Sequence, residues 1–361
     1  MKKTLVALAA LAATSAFADV TISGTFDPTL IHTRSDYQGA TSVTQNNMTY
    51  NGVSTSQVTF KVSEDLGGGL KAIALMENDF QAQNKEDQIG KGADQGGASA
   101  GTNFGSGGGE IYTGLTGGMG TIKLGAPNTA TLYTQGGTPF GTKLGSGFGE
   151  GLHGTAQVRQ SQTAQYQSPV FGGGFVFTIG QSFGSQADAN VVMSGAPAGP
   201  GGANGINATA SVVDSGLMYA NGPIMGNATM FKKAGLAGAP DNVITNVQGS
   251  YTFGGMMVQV GGHQETAAAN TSGKDNSGLF VAGKYTSGAS SFLFNLANLS
   301  DKTAANAAAP QNKHMTGLGY DYALSINTKL YARYSSYTFD NQAANILTKQ
   351  TKTAAGISVN F

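Results

Sequence analysis

The sequence predicts an all-β fold: a transmembrane antiparallel β-barrel of sixteen strands, with short turns at one end and long loops at the other. Three observations carry the prediction. Segments able to be regular alternate apolar and polar residues with period two. Tight glycine-rich connections alternate with long polar stretches along the chain. The composition is rich in glycine and poor in charge, with 55 Gly, no Cys and 11% charged residues against the ~25% of an ordinary soluble domain.

From the N-terminus, Lys2 and Lys3, an apolar run from Leu5 to Ala13 and the small-residue site Ala16-Phe17-Ala18 form a secretory signal pattern over residues 1–18. Cleavage is expected before Asp19, leaving residues 19–361 as one barrel domain. The apolar run is too short to cross ~30 Å of hydrocarbon as a helix, and no later run approaches the ~18 apolar residues that such a helix needs. An exported chain without cysteine must be held by strand pairing or a sizeable core. Of the 20 Lys and Arg, Lys2 and Lys3 lie in the signal, which leaves 18 against 20 Asp and Glu. That balance implies no basic face for nucleic acid. The 18 Phe and 13 Tyr argue against a disordered chain.

The strands read most clearly in three places. From Gln57 to Ser63, Val58, Phe60 and Val62 alternate with Gln57, Thr59, Lys61 and Ser63. From Lys329 to Arg333, Leu330 and Ala332 alternate with Lys329, Tyr331 and Arg333. At the end, Ala355, Ile357, Val359 and Phe361 share one face while Gly356, Ser358 and Asn360 take the other. Alternation alone suits a soluble sandwich as well as a barrel; the connections separate them. Tight ones fall at 65–69, 117–120, 171–174, 221–223, 253–255 and 287–289. Long ones fall at 34–52, 81–108, 127–155, 184–205, 235–242, 265–275, 300–312 and 339–349. Eight long loops make eight hairpins of about 43 residues, each with room for two ~10-residue strands. With no Trp, the aromatic girdles fall to Tyr112, Tyr166, Tyr219, Tyr251, Tyr285, Tyr320, Tyr334 and Phe361. Clusters of helix formers are missing.

Parity puts Lys61, Lys71, Glu77, Lys123, Arg159, Lys284 and Arg333 on the polar face. A Lys or Arg on the lipid face costs ~2–4 kcal/mol at midplane, so the lumen is their expected side. Catalytic readings are weaker. Two G-x-S-x-G strings occur, Gly97–Gly101 and Gly180–Gly184, but a nucleophile elbow needs a strand before the Ser and a helix after it. The first lies in a glycine-rich loop, and beyond the second Gly195, Pro197, Gly199 and Pro200 soon interrupt any helix. His32, His153, His263 and His314 lack metal-ligand spacing. No catalytic residue, metal site or cofactor is therefore expected. An adhesin or β-solenoid would need a fixed repeat of 20–50 residues, which the chain does not show.

Several stretches, in order, resemble the general porins of Gram-negative outer membranes, of the neisserial and burkholderial type. They are Val20–Gly24, Ser63–Ala72 with Met76-Glu77, Tyr112–Leu115, Gly120–Gly125, and Arg159 with Tyr166–Gly173. The resemblance implies a trimeric sixteen-stranded channel through which small hydrophilic solutes and ions diffuse passively. It implies long loops outside, short turns in the periplasm, and a third loop, 127–155, folded into the lumen. That loop contains Pro139-Phe140-Gly141, Lys143, Glu150 and His153; with the inward charges above, Lys143 and Glu150 complete the candidate constriction residues. Gly356, Val359 and Phe361 resemble the terminal signal read by the barrel-assembly machinery. Ala126 and Ser358-Val359 stand where the family usually has basic residues, so no ion preference is inherited through those positions. The basic excess on the wall suggests mild anion preference. A channel specific for a sugar or organic acid is the alternative, which an inward aromatic ladder starting at Tyr331 and Tyr337 would favour.

Overall fold

The computed structural model describes residues 18–80, 108–148, 158–183, 210–235, 241–267, 275–301, 311–340 and 347–361. Eighteen antiparallel β-segments form one closed sheet. They are β1 (Asp19–Phe26), β2 (Thr29–Tyr37), β3 (Val43–Thr49), β4 (Gln57–Gly67), β5 (Leu70–Asp79), β6 (Gly108–Gly117), β7 (Gly120–Ala126), β8 (Thr163–Gln167) and β9 (Phe175–Ser182). After these come β10 (Val212–Asn221), β11 (Ile224–Lys233), β12 (Asn242–Phe253), β13 (Met256–Ala267), β14 (Asp275–Ser287), β15 (Ser290–Asp301), β16 (Gln311–Ala323), β17 (Thr328–Phe339) and β18 (Leu347–Asn360). β1 and β2 both pair with β18, and they pair in turn with β4 and β3. Each couple is thus one strand with a break, at Asp27-Pro28 and at 50–56, and the barrel has sixteen staves. Among the described residues no helix is long and apolar enough to cross a membrane.

The short turns explain the tightness of one end. Asn221 pairs with Ile224, Phe253 with Met256 and Ser287 with Ser290, so each turn has two central residues. Gly222, Gly254 and Gly288 open those turns at φ between +55° and +57°. Only glycine takes that conformation freely, and such turns match the twist of the flanking strands.

Register fixes the faces. On β15, Phe292, Phe294 and Leu296 are exposed outward while Leu293, Asn295 and Ala297 are buried inward. Seven of the eight girdle candidates point outward, and six of those lie close to the short-turn end. Phe292 stacks obliquely with Tyr320 at 5.1 Å, Phe175 with Tyr219 at 4.7 Å and Phe26 with Phe361 at 6.0 Å. Tyr112 is the correction: it faces inward, 8% exposed, because its neighbours Ile111 and Thr113 take the lipid side. A second correction concerns 34–52, expected to be a long loop. β2 continues to Tyr37 and β3 begins at Val43; His32, Arg34, Thr44 and Asn46 make the outer face polar, which hid the alternation.

The barrel closes on itself through backbone bonds from Gly24 N to Phe361 O (3.0 Å) and from Phe361 N to Gly24 O (3.1 Å). Behind this seam the Asp27 side chain is fully buried. It accepts from Val53 N (2.8 Å), Ser54 N (2.6 Å) and the Tyr331 hydroxyl of β17, which also meets Thr29 Oγ1 at 2.5 Å. A buried carboxylate is tolerated only with such partners; here they tie both strand breaks to β17.

Candidate functional site

A loop that folds across the barrel after β7 places its side chains against the inward face. Its first turn is helix α1 (Ala130–Gly136), which no cluster of helix formers announces in the sequence. Thr129 caps it, Oγ1 accepting from Leu132 N at 3.0 Å. The wall holds both helix ends. Asp214 on β10, 3% exposed, accepts from Ala130 N (2.5 Å), Thr131 N (3.2 Å) and Thr131 Oγ1 (2.6 Å). Gln248 on β12 donates to Thr134 O (2.7 Å), and Gln259 on β13 to Gly137 O (2.8 Å). A carboxylate at the orphan amides and amide donors at the carbonyl end complement the polarity of the helix.

Past α1 the loop continues along the wall. The Arg333 guanidinium of β17 lies over Phe140, 5.6 Å from its ring centroid. Lys143 Nζ donates to Thr55 Oγ1 (2.8 Å), in the break between β3 and β4. Burial pushes the Lys143 ammonium below the ordinary lysine range, and Asp79 and Asp27 pull it back. Phe148 meets Phe280 edge-on at 4.8 Å in a cluster with Ala282, Ala297, Met315 and Tyr337. The loop is thus pinned at β10, β12–β14, β17 and the β3–β4 break, and it narrows the interior.

The wall of β5–β8 carries a linked set of charges. Arg159 Nη2 lies 3.0 Å from Glu77 Oε1, and Nη1 lies 4.0 Å from Asp79 Oδ2. Lys123 Nζ stands 3.6 Å from Glu110 Oε1 and 4.6 Å from the Tyr112 centroid. Asn128 joins the pairs, donating from N and Nδ2 to Glu110 and accepting from Arg159 Nε at 2.7 Å. Across the barrel, Asp321 of β16 takes Arg333 Nη1 at 2.6 Å and Lys329 Nζ at 3.6 Å.

The residues selected from sequence fall in several places. Lys61, Lys71 and Lys284 hold inward positions in the register, and among the described residues none has a carboxylate within ion-pair distance. Glu77, Lys123 and Arg159 sit together in the β5–β8 set. Arg333 is 5% exposed, lying beneath Phe140 of the loop. Lys143 is at the loop's far contact, while Glu150 and His153 lie outside the described residues. Gly356 faces the Tyr331 hydroxyl, where an added Cβ would collide. Val359 pairs with Phe26 and Thr328, and Phe361 with Gly24. Asp214, Gln248 and Gln259 were not singled out from sequence, although all three have inward parity; nothing local says which inward side chain a distant loop will reach.

Comparison with known proteins gives a consistent picture. The model of one family, described as Gram-negative porin, matches residues 4–342. The chain is 27% identical to outer membrane porin protein 32 of Delftia acidovorans across 98% of this chain and 93% of that one. It is 34% identical to the major outer membrane protein P.IB of Neisseria gonorrhoeae over 138 residues, 36% of this chain and 33% of that protein. The fold is similar to that of an anion-selective porin from Comamonas acidovorans. The TM-score is 0.71 at 20% identity, covering 96% of this chain and all of the other.

Proposed function

The chain belongs to the Gram-negative porin family, and on that premise we propose that it is an outer-membrane channel for small hydrophilic solutes and ions, with mild anion preference and no catalytic role. The observation that carries the reading is the loop 127–148, clamped inside a closed barrel beside a wall of charges. Such a loop sets a cross-section and a field rather than a reaction centre.

The anion preference comes from which charges are committed. Arg159 and Lys123 hold the carboxylates of the β5–β8 wall, while Arg333 and Lys329 hold Asp321. Lys61, Lys71 and Lys284 are then the inward cations that, among the described residues, have no carboxylate within ion-pair distance, and the preference is read from them. The name of the anion-selective Comamonas porin agrees with that sign. We also assign residues 1–18 as the export signal, the long loops to the cell exterior and a homotrimer as the assembled form. The barrel-assembly machinery would read the terminal strand through Gly356, Val359 and Phe361.

Single-channel recording of residues 19–361 in a planar bilayer tests the proposal. Conductance steps grouped in threes, with a reversal potential of anionic sign under a salt gradient, are expected. A silent bilayer with folded protein would reject the channel, and a cationic sign would reject the preference alone.

A further inference from the structure

On the short-turn side of the clamped loop, the inner wall of β10–β14 changes from amides to methionines. Strand parity turns Met218 of β10, Met225 of β11 and Met257 of β13 inward, each half-buried, while their neighbours Leu217, Ile224 and Met256 are exposed on the outer face. Each of the three lies one to three residues from a tight turn, so their thioethers follow the rim of the barrel mouth. The loop stands directly above them. A Cβ added at Gly216, the inward residue before Met218, would come 2.7 Å from Ala130 Cβ of α1. A solute that has passed the loop along this wall therefore meets Met218 first.

Lys284 completes the arc. On β14 it pairs with Met257 on one side and with Leu293, 4% exposed, on the other. Among the described residues its ammonium has no carboxylate within ion-pair distance. The inward carboxylates of β9–β14, Asp214 and Glu265, stand toward the long-loop end: Asp214 is bound to α1, and Glu265 accepts from Asn242 and Asn276. Asp321, two strands beyond Lys284, is taken by Arg333 and Lys329. The arc thus combines one ammonium with an unbranched, polarizable apolar lining. Methionine bends to fit irregular bodies, and its sulfur gains a further contact at the edge of an aromatic ring. Beside a water-filled lumen, such side chains also present apolar area that a solute can cover.

We infer that this arc is a binding site for small aromatic anions, with the carboxylate at Lys284 and the ring on Met257, and with Met218 and Met225 leading to it from the loop. The inference rests on the channel reading and adds a solute class to it, at the mouth rather than at the constriction. Acetate gains only the contact with Lys284. A neutral aromatic solute gains only the contact with methionine.

The test is current block by benzoate, with acetate as the control of equal charge, on single channels in chloride electrolyte. Benzoate is expected to interrupt the current at about a tenfold lower concentration than acetate, the factor for covering roughly 60 Å² of apolar surface. Met257→Ser should remove the advantage of benzoate and leave the acetate response, whereas Met257→Leu should keep most of it; Lys284→Gln should weaken block by both anions. The heat-induced shift on detergent gels verifies that each variant has folded, and Met257→Gln, which keeps the length of the side chain, replaces Met257→Ser if that variant does not fold. Equal block by benzoate and acetate, or a benzoate advantage that survives the loss of apolar surface at Met257, overturns the site while leaving the channel intact. Unchanged block in Lys284→Gln overturns it as well. If the wild type passes no chloride current, the channel reading has failed. Saturation-transfer NMR of benzoate with detergent-folded wild type and the polar Met257 variant then decides the site alone: transfer lost in the variant supports it, and equal transfer refutes it.

Discussion

Replacing Asp214 by alanine removes the group that holds the N-terminal end of α1 to the wall. The carboxylate accepts three hydrogen bonds, from Ala130 N, Thr131 N and Thr131 Oγ1. A hydrogen bond to a charged group contributes ~1.5–3 kcal/mol, and contributions at one acceptor are not additive. Leaving two buried amides without an acceptor adds its own penalty. Asp214→Ala should therefore loosen the docked loop by about 3–5 kcal/mol. Asp214→Asn keeps one acceptor oxygen and should cost about 1–2 kcal/mol. The barrel strands around β10 keep their backbone pairing in both variants. Single-channel recording should show a larger mean conductance and added open-channel noise in Asp214→Ala, with Asp214→Asn between it and wild type. Trypsin should also cut after Lys143 faster in the alanine variant. Wild-type conductance, noise and cleavage rate in Asp214→Ala would show that the clamp does not hold the loop.

Two further outcomes are expected. Tyr331→Phe removes the hydroxyl shared by Asp27 and Thr29 and should lower barrel stability by ~1–3 kcal/mol, read as a lower temperature for the unfolding shift on detergent gels; an unchanged temperature would place the closing strength elsewhere. Because burial lowers the Lys143 pKa, its charge is lost as pH rises, before the ~10.4 of an ordinary lysine is reached. The reversal potential should then drift toward cations on the alkaline side, and Lys143→Met should show the neutral-pH form of that drift already at pH 7.

The barrel was legible where one face is plainly greasy. The alternation from Gln57 to Ser63 and the Gly-Gly or Gly-Pro turns specify strand and hairpin locally, because side-chain parity and positive φ are properties of neighbouring residues. Legibility failed where both faces are polar, as from Arg34 to Asn46, and where a loop segment adopts a short capped helix. The site divides along the same line. Inward parity of Lys123 and Glu77 comes from their own strands, but their pairing with Glu110 and Arg159 depends on cross-strand register and on the loop's return. Arg333 shows the limit most clearly: its parity is inward, and only the packing of Phe140 against it shows that the loop covers it.

The seam between Gly24 and Phe361 has a kinetic consequence. Its flanking contact, Thr25 to Asn360, joins positions 335 residues apart in sequence, whereas most neighbouring staves are hairpins whose pairing can zip outward from a turn. Contacts of that separation incur the full loop-closure entropy before they return any stabilisation. The hairpins can therefore assemble in any order, but the ring is completed last, and until then two unpaired strand edges are open to other chains. The interval before closure is when this protein is most exposed to misassembly, and a defect confined to the Asp27–Tyr331 tie would lengthen it without changing any hairpin.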